Sequence, residues 1–292
     1  MITAPSLSRH LPVLAVLVLA LAFLSTDSGR GATGTALEIE IENYVKSLRG
    51  RGKIRGDERT AWLVYDFTSG NKLASINEDV PLQAASMIKP YLALAYFHQV
   101  EAGKLTYGST SQRHMELMIQ KSNNASTNWV MRQTGGPAAT QALLKRHYPS
   151  LCKQLRLVEY IPAGGRTYGN RGSAGDYARF LDLLWKGKLP RSREILRLMA
   201  LPGRDRLCTN AEHVPSGTQV YNKTGSTAMC CGDMGILVAH GQNGRSYPYA
   251  VIGIIESSNR RTSYGSWISS RGNVIRNVSN RAYLAMKKRY SL

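Results

Sequence analysis

The sequence predicts an α/β-type sandwich with a second, all-helical lobe. Strand patterns occur near both ends of the 292-residue chain, and a long helical block separates them. Helices are predicted before the first strand and after the last one. Strands from both ends can join one sheet only if the helical block is an excursion from it. The result is a layer of antiparallel strands flanked by terminal helices, with the block forming a lobe of its own.

Hydrophobic periodicity and turn residues define the individual elements. Leu37, Ile41 and Val45 recur at every fourth position and predict an amphipathic helix. β-Branched and aromatic residues on both sides of the turn Thr68–Asn71 predict a hairpin. In chain order we predict a helix at 36–48, strands at 61–67 and 72–77, helices at 86–102 and within 112–148 (interrupted at 135–137), a loop at 161–172, helices at 174–184 and 191–200, strands at 219–223, 234–239 and 249–256, and a helix at 268–288.

The N-terminal residues have the pattern of a secretory signal peptide. Arg9 and His10 precede an uncharged run from Leu11 to Leu24, which is shorter than the ~20 apolar residues of a membrane-spanning helix. We therefore expect residues 1–32 to be a signal peptide, with an uncleaved anchor as the alternative. The expected location is outside the cytoplasm, either periplasmic or secreted, or held at the membrane by this segment.

Export would place the four cysteines in an oxidising compartment. One long-range disulfide is a candidate, for example from Cys208 to Cys230 or Cys231; alternatively Cys152 and the other three are small buried apolar residues. Cys230 and Cys231 point to opposite faces if they lie on a strand, so they can hardly serve one bridge. No C-x-x-C or H-x-x-x-H pair accompanies them, so neither a metal site nor a cofactor is predicted.

The chain is strongly basic, with 38 Lys and Arg against 19 acids. No acid follows Glu256, whereas the C-terminal segment is rich in arginine and lysine. Because the leader would remove the chain from the nucleic-acid compartment, we expect no nucleic-acid partner. Anionic envelope polymers or lipid headgroups are one interpretation of this charge, and a merely solvated basic helix face is the other. We expect a monomer.

Three short motifs in fixed order carry chemistry: Ser86-Met87-Ile88-Lys89, Ser122-Asn123-Asn124 and Lys223-Thr224-Gly225. Three residues are almost one helical turn, so Ser86 and Lys89 share a helix face. A serine hydroxyl needs a base to remove its proton, and lysine becomes a base only when burial or a neighbouring cation lowers its pKa. Lys223 is a candidate for that cation. Together the motifs predict acyl transfer through an active-site serine.

The motifs resemble those of the class A β-lactamases and related penicillin-recognising serine enzymes. The resemblance extends from about Ala61 to the C-terminus and is carried by Ala85–Pro90, Lys121–Asn128 and Tyr221–Thr227. It implies a five-stranded antiparallel sheet with helices on both faces, and a helical lobe that holds the first two motifs.

In this interpretation residues 33–292 form a single catalytic domain. Its α/β lobe would comprise about 36–82 and 203–292, and its helical lobe about 83–202. The active site would lie between the two lobes, where clefts commonly form.

The resemblance also implies a role for each motif residue. Asn123 stands where class A enzymes usually carry Asp, at a position that is structural in the family. The implied roles are Ser86 as nucleophile, Lys89 as its base, Ser122 as proton relay to the leaving nitrogen, Asn124 as a ligand of Lys89 or of the substrate amide, Lys223 and Thr224 beside the substrate carboxylate, Gly225 as room along the strand edge, and the backbone N–H groups of Ser86 and Ser226 as the oxyanion hole.

The segment from Leu151 to Gly172 departs from the family pattern. Class A enzymes carry a glutamate there, in an E-x-x-L-N context, which activates the water that frees the enzyme. Glu159 is the only acid in this segment, and the rest of that context is missing. Glu159 is therefore a candidate for this role, with a strand-end or solvent-facing carboxylate as the alternative.

Three functional hypotheses follow. The first is a serine hydrolase that attacks β-lactam amides through a Ser86 acyl-enzyme, which would confer antibiotic resistance if Glu159 supports turnover. The second is a peptidoglycan D,D-peptidase, or another amide or ester hydrolase, with slow β-lactam deacylation. The third is a non-catalytic envelope-binding protein that uses a basic C-terminal face with Arg271, Arg276 and Arg281. The expected partners are a β-lactam or cell-wall peptide and, for the third hypothesis, anionic envelope polymers.

Overall fold

The computed structural model describes Met1 and residues 34–162, 165–242 and 244–292. The predicted signal peptide and its anchor alternative lie, apart from Met1, outside the described residues and stay predictions. Among the described residues, no helix is long and apolar enough to cross a membrane.

The strands form a five-stranded antiparallel sheet, which confirms the predicted fold class. The predicted hairpin pairs β1 with β2, and the three late strands follow in the order β7, β6, β5, so β5 lies at the edge. A second, two-stranded ribbon pairs β3 with β4. The strands are β1 Glu58–Asp66, β2 Asn71–Ile76, β3 Leu82–Gln83, β4 Arg171–Gly172, β5 Gln219–Ser226, β6 Cys230–His240 and β7 Ser246–Ser257.

The helices match the predicted positions with two differences. The segment at 86–102 begins as a 3₁₀ turn, Ala85–Ile88, before it becomes α-helical, and the segment at 112–148 contains three helices instead of two. The extra break, at 120–123, separates two helices that pack on each other. The helices are α1 Ala36–Gly50, α2 Lys89–Glu101, α3 Ser109–Ile119, α4 Asn124–Gln133, α5 Gly136–His147, α6 Ala174–Trp185, α7 Ser192–Met199 and α8 Tyr264–Tyr290.

The sheet separates two hydrophobic cores. The terminal helices α1 and α8 cover one face, where Trp62, Tyr249 and Ile275 are fully buried. Helix α6 and the 3₁₀ turn cover the other face, and this core continues into the helical segments through residues such as Met87 and Tyr91. Fully burying a large side chain contributes about 1.5–3 kcal/mol, so both helical layers are held mainly by apolar contact with the sheet.

All four cysteines are free, so of the two alternatives for the cysteines the structure supports the one without a bridge from Cys208. Cys230 and Cys231 point to opposite faces of β6, as predicted, and each is buried in a different core. Cys152 is buried among the helices, and burial raises its thiol pKa to about 12. These three cysteines are small apolar residues of the cores, and only Cys208 is partly exposed.

The C-terminal helix uses three of its arginines to attach to the rest of the fold. Arg271 is buried and pairs with Glu58, whose carboxylate oxygens lie 2.9 Å from Nε and 2.6 Å from Nη2. Arg276 donates to the carbonyl oxygen of Thr209 at 2.7 Å. Arg281 pairs with Glu40 at 3.2 Å and also stacks on an aromatic ring of α1. Placing Arg271 on a basic binding face is therefore wrong, because its charge is neutralised inside the protein.

Candidate active site

Ser86 lies in a short backbone turn whose position is fixed by the residues directly before and after it. It occupies the 3₁₀ turn Ala85–Ile88, and Lys89 is the first residue of α2. Ala85, directly before Ser86, has φ of +44°, a left-handed conformation that is uncommon for any residue but glycine. Met87 and Ile88 are fully buried and anchor the turn, while Ser86 remains partly exposed. The turn therefore presents the Ser86 hydroxyl outward from a rigid base.

Gly225 allows the edge strand β5 to lie against this turn. A Cβ atom at Gly225 would stand 3.0 Å from Met87 Cγ and 3.2 Å from the carbonyl oxygen of Ala84. Both contacts are tighter than most real Cβ contacts, so a side chain here would require the turn or the strand to shift by a few tenths of an ångström. The sequence suggested that this glycine leaves room for the substrate; the structure adds that it brings Lys223 and Ser226 close to the nucleophile.

The second motif lies at the break between α3 and α4. Ser122 has φ of +56°, so the chain reverses direction there. Asn123 is the N-cap of α4, and its side-chain oxygen accepts a hydrogen bond from the N–H of Ser126 at 2.8 Å. Because asparagine and aspartate cap helices about equally well, Asn123 can do the structural work of the aspartate that is usual in class A enzymes.

A hydrogen-bond chain joins the nucleophile to Lys89. Ser122 Oγ lies 2.8 Å from Ser86 Oγ and 3.1 Å from Lys89 Nζ. The amine also donates to the Ser122 carbonyl oxygen at 2.6 Å and to Asn124 Oδ1 at 3.2 Å. Hydroxyl hydrogens rotate freely, so a proton can pass from Ser86 through Ser122 to a neutral Lys89.

The surroundings of Lys89 favour its neutral form. The side chain is fully buried, and burial lowers the pKa of Lys89 well below its ordinary value. The charge of Lys223 lowers it further, as the sequence suggested. A lysine whose pKa falls in this way can accept the proton of a serine hydroxyl.

Lys223 is held on β5 beside a buried carboxylate. Burial lowers the pKa of Lys223 to about 8; Asp233 on the neighbouring strand opposes this shift, and Arg206 adds to it. Asp233 is fully buried and accepts from the backbone N–H of Arg206 at 2.7 Å and from Asn222 Nδ2 at 2.9 Å. Burial raises the pKa of Asp233 to about 6, and its charge at neutral pH keeps Lys223 cationic.

These groups meet at a cavity of about 500 Å³. Its size suits a small-molecule ligand. Lys89 contacts the cavity-lining Ser122 but does not line the cavity itself, and Gly225 packs against the 3₁₀ turn. The sequence-predicted site residues that line the cavity are Ser86, Ser122, Asn124, Lys223, Thr224 and Ser226.

Glu159, in contrast, is not among the described residues that line this cavity. Its Oε1 atom accepts hydrogen bonds from Thr167 Oγ1 at 2.7 Å and from the N–H groups of Tyr168 and Gly169, both at 2.8 Å. Burial raises the pKa of Glu159, but these hydrogen bonds outweigh it, so the pKa lies below its ordinary value. The carboxylate therefore ties together the loop on which it lies.

Ile161 lines the cavity from the same loop. Asn128 on α4 fixes its backbone, because Asn128 Nδ2 donates to the Ile161 carbonyl oxygen at 2.7 Å and Oδ1 accepts from its N–H at 2.9 Å. Of the described residues that line the cavity, none is an aspartate or a glutamate. The wall offers an aliphatic side chain and polar groups to the substrate, and no carboxylate.

Sequence reasoning missed two features that support the site. One is Arg206, and the other is the pair of hydrogen bonds from the Asn128 side chain to the backbone of Ile161. Arg206 is buried and donates to Ser226 Oγ at 2.7 Å and to the Gly232 carbonyl oxygen at 2.8 Å. No local pattern marks it. Asp233 directly precedes the strand predicted at 234–239, whereas the structure places it within β6.

Comparisons with known proteins identify solved structures with the same fold. Solved structures that share the fold include PBP-A (23% identity, TM-score 0.69, covering 86% of this chain and 96% of that chain) and a reconstructed ancestral class A β-lactamase, GNCA (21%, 0.66, 84% and 99%). A β-lactamase from Xanthomonas campestris pv. campestris is also similar (17%, 0.66, 84% and 97%). A search of curated protein sequences gave no match.

The sequence itself matches one family model. The model described as the Beta-lactamase enzyme family matches residues 40–112 and 106–283, two overlapping segments that include all three motifs. This span contains the nucleophile turn, the α3–α4 break and the edge strand β5. Because the match extends over most of the chain and the fold is that of class A β-lactamases, this protein belongs to the β-lactamase enzyme family.

Proposed function

We propose that this protein is an exported serine hydrolase of the D,D-peptidase type, which is acylated at Ser86 and releases β-lactam adducts slowly. Residues 33–292 would form its catalytic domain. The observation that carries the proposal is a serine–serine–lysine relay beside a cavity to which none of the described residues contributes a carboxylate. The relay would carry out the proton transfers of acylation. Without a carboxylate in the described lining, no such group is in place to activate water, and deacylation would be slow.

Acylation uses the relay in both directions. Lys89 takes the Ser86 proton through Ser122 as Ser86 Oγ attacks the substrate carbonyl carbon. The N–H groups of Ser86, on the turn, and of Ser226, on β5, would stabilise the oxyanion, and one such donor typically contributes about 10²–10³ in rate. The proton then returns through Ser122 to the leaving nitrogen as the C–N bond breaks.

Lys223 and Thr224 would bind the carboxylate that β-lactams and D-Ala-D-Ala peptides share. A buried cation that keeps its charge only with help from Asp233 gains from a bound carboxylate, because the ligand supplies the missing negative partner. Asn124, which contacts Lys89, is placed to receive the substrate amide as well.

Deacylation needs a base that activates water on the acyl-enzyme. Glu159 is not among the described residues that line the cavity, and its Oε1 atom is already occupied by hydrogen bonds from Thr167, Tyr168 and Gly169, whereas Ile161 of the same loop does line the cavity. Loss of general-base assistance typically costs about 10²–10⁴ in rate. We therefore favour a persistent β-lactam adduct over rapid hydrolysis. PBP-A, which shares the fold, has a mutant whose structure is an acyl-enzyme complex with penicillin G.

The test is the intact mass of the purified protein over time after penicillin is added. A mass increase that persists, is absent in Ser86→Ala and is unchanged in lifetime by Glu159→Gln supports the proposal. Rapid clearance with accumulation of hydrolysed drug, abolished by Glu159→Gln, would favour a β-lactamase instead. A protein that gains no mass has no β-lactam-reactive Ser86, which would refute the proposal.

A further inference from the structure

The cavity has a cationic end that the reaction described above leaves unused. Lys121 and Arg204 line it together with Lys223. Both are exposed, and within the described part of the chain neither forms an ion pair. Since no acid lines the cavity among the described residues, two positively charged residues without an ion-pair partner belong to its lining in addition to Lys223.

Two hydrogen bonds place Lys121 and Arg204 at the same end. Gln120 Nε2 donates to the Pro202 carbonyl oxygen at 3.0 Å, which joins the segment before Lys121 to the segment before Arg204. Asn222 Nδ2 donates to the Arg204 carbonyl oxygen at 3.2 Å, which fixes Arg204 next to the residue that precedes Lys223. The three cations therefore surround one mouth of the cavity.

Among the described residues, the remainder of the cavity wall carries no charged side chain. Asn124, Ile161, Gly165 and Thr167 line it with amide, aliphatic, backbone and hydroxyl groups. In a D-Ala-D-Ala peptide, the carboxylate that Lys223 would bind belongs to the leaving amino acid. The extra positive charge consequently faces the leaving part of the substrate and not the acyl part that stays on Ser86.

We propose that Lys121 and Arg204 select substrates whose leaving group carries two negative charges, one bound at Lys223 and the second at the exposed pair. The chemical class is an acyl compound whose leaving group is a dicarboxylate or bears another acidic substituent beside its carboxylate. This inference rests on the proposed acylation of Ser86. Two exposed cations strengthen the binding of a second negative charge only modestly. We therefore expect a preference of about threefold to tenfold in kcat/KM at low salt, and added salt should reduce it.

Matched thioesters test this preference directly. The probes are N-benzoyl-D-alanine thioesters of mercaptoacetate, with one carboxylate, and of mercaptosuccinate, with two. The monoamide of the mercaptosuccinate thioester matches the second probe in size but has one charge fewer. In each case Ser86 Oγ forms the new C–O bond, the C–S bond breaks and the thiolate leaves; water later releases benzoyl-D-alanine. Released thiol gives kcat/KM.

We expect kcat/KM to be higher for the dicarboxylate probe than for its monoamide, by about threefold to tenfold. In the double variant Lys121→Gln/Arg204→Gln this ratio should fall to about one. The variant Lys53→Gln, which removes an exposed cation that does not line the cavity, should keep the wild-type ratio.

Two failures are distinguishable. If neither the thioesters nor penicillin acylate the protein, the proposed function is refuted and this inference with it. If penicillin acylates Ser86 but the dicarboxylate and monoamide probes react alike, or neither releases thiol, only the inference is overturned. A preference that survives unchanged in the double variant also overturns it, because the selectivity would then come from other residues.

Discussion

Ser122 Oγ lies 2.8 Å from Ser86 Oγ and connects the nucleophile to its base. The same hydroxyl is 3.1 Å from Lys89 Nζ. Its position depends on the left-handed backbone at Ser122, which turns the side chain into the cavity at the break between α3 and α4. The sequence motif thus encodes a backbone conformation as well as a functional group.

Ser122→Ala should slow acylation without removing the nucleophile. Without the relay, the Ser86 proton loses its path to Lys89, and we expect the acylation rate to fall by about 10²–10⁴. Stopped-flow or mass-resolved acylation by penicillin measures this rate. Ser126→Ala, four residues later on α4 and not lining the cavity, is the control and should react at nearly the wild-type rate. Equal rates in Ser122→Ala and wild type would exclude Ser122 from proton transfer.

The pH dependence of acylation should be bell-shaped. Lys89 must be neutral to act as a base, so kcat/KM rises with pH through its depressed pKa. Lys223 must be charged to bind the carboxylate, so kcat/KM falls as pH rises past about 8, to which burial lowers the pKa of Lys223. An uncharged ester has no carboxylate for Lys223 and should lack the alkaline decline. If the decline persists with that ester, Lys223 is not its source.

Asp233→Asn should move the alkaline decline to lower pH. The carboxylate of Asp233 raises the pKa of Lys223 against the effects of burial and Arg206. Removing that negative charge lowers the pKa of Lys223 further, so the cation is lost at a lower pH. The pH profile of kcat/KM for a carboxylate substrate reports the shift, and thermal melting shows whether the variant is folded. A folded variant with an unmoved alkaline decline would contradict this coupling.

The sequence predicted the sheet, the terminal helices and the three motifs because these follow from local periodicity and spacing. The hairpin of β1 and β2 and the amphipathic face of α1 needed no long-range information. Ser86, Ser122 and Lys223 were found because each motif carries its reactive groups within a few residues. Contact between them depends on strand order and on how the helical segments pack, which local patterns do not give.

What the sequence did not predict depends on contacts between distant segments. Arg206 beside Ser226, Asn128 on Ile161 and Arg271 on Glu58 join residues far apart in the chain. Charge counting assigned Arg271 to a basic surface, since composition does not distinguish an exposed arginine from one that a buried glutamate neutralises. The choice between one disulfide and free cysteines stayed open in the sequence for the same reason, because thiol positions follow from packing.

Arg271→Met should destabilise the protein without changing its chemistry. Glu58 is buried, and the substitution removes the guanidinium group that neutralises its carboxylate. Removing one member of a buried pair typically costs about 3–5 kcal/mol, which urea unfolding measures. Lys46→Ala breaks the exposed pair with Glu42 and should cost less than about 1 kcal/mol. An Arg271→Met variant as stable as wild type, but with lost envelope association, would instead favour a binding role for this residue.

Ile161→Glu should convert slow deacylation into turnover. Asn128 fixes the backbone of Ile161 at the cavity wall, so a glutamate there would reach toward the acyl-enzyme from a fixed position. A positioned general base typically contributes about 10²–10⁴, and the lifetime of a penicillin adduct should shorten by a factor in that range. Ile161→Gln has a similar size and no basic group, and it should keep the long lifetime. Val158→Glu adds a carboxylate to an exposed position of the same loop outside the cavity lining, and it too should leave the lifetime unchanged. If Ile161→Glu is acylated normally but its adduct persists as in wild type, the missing carboxylate is not what limits deacylation.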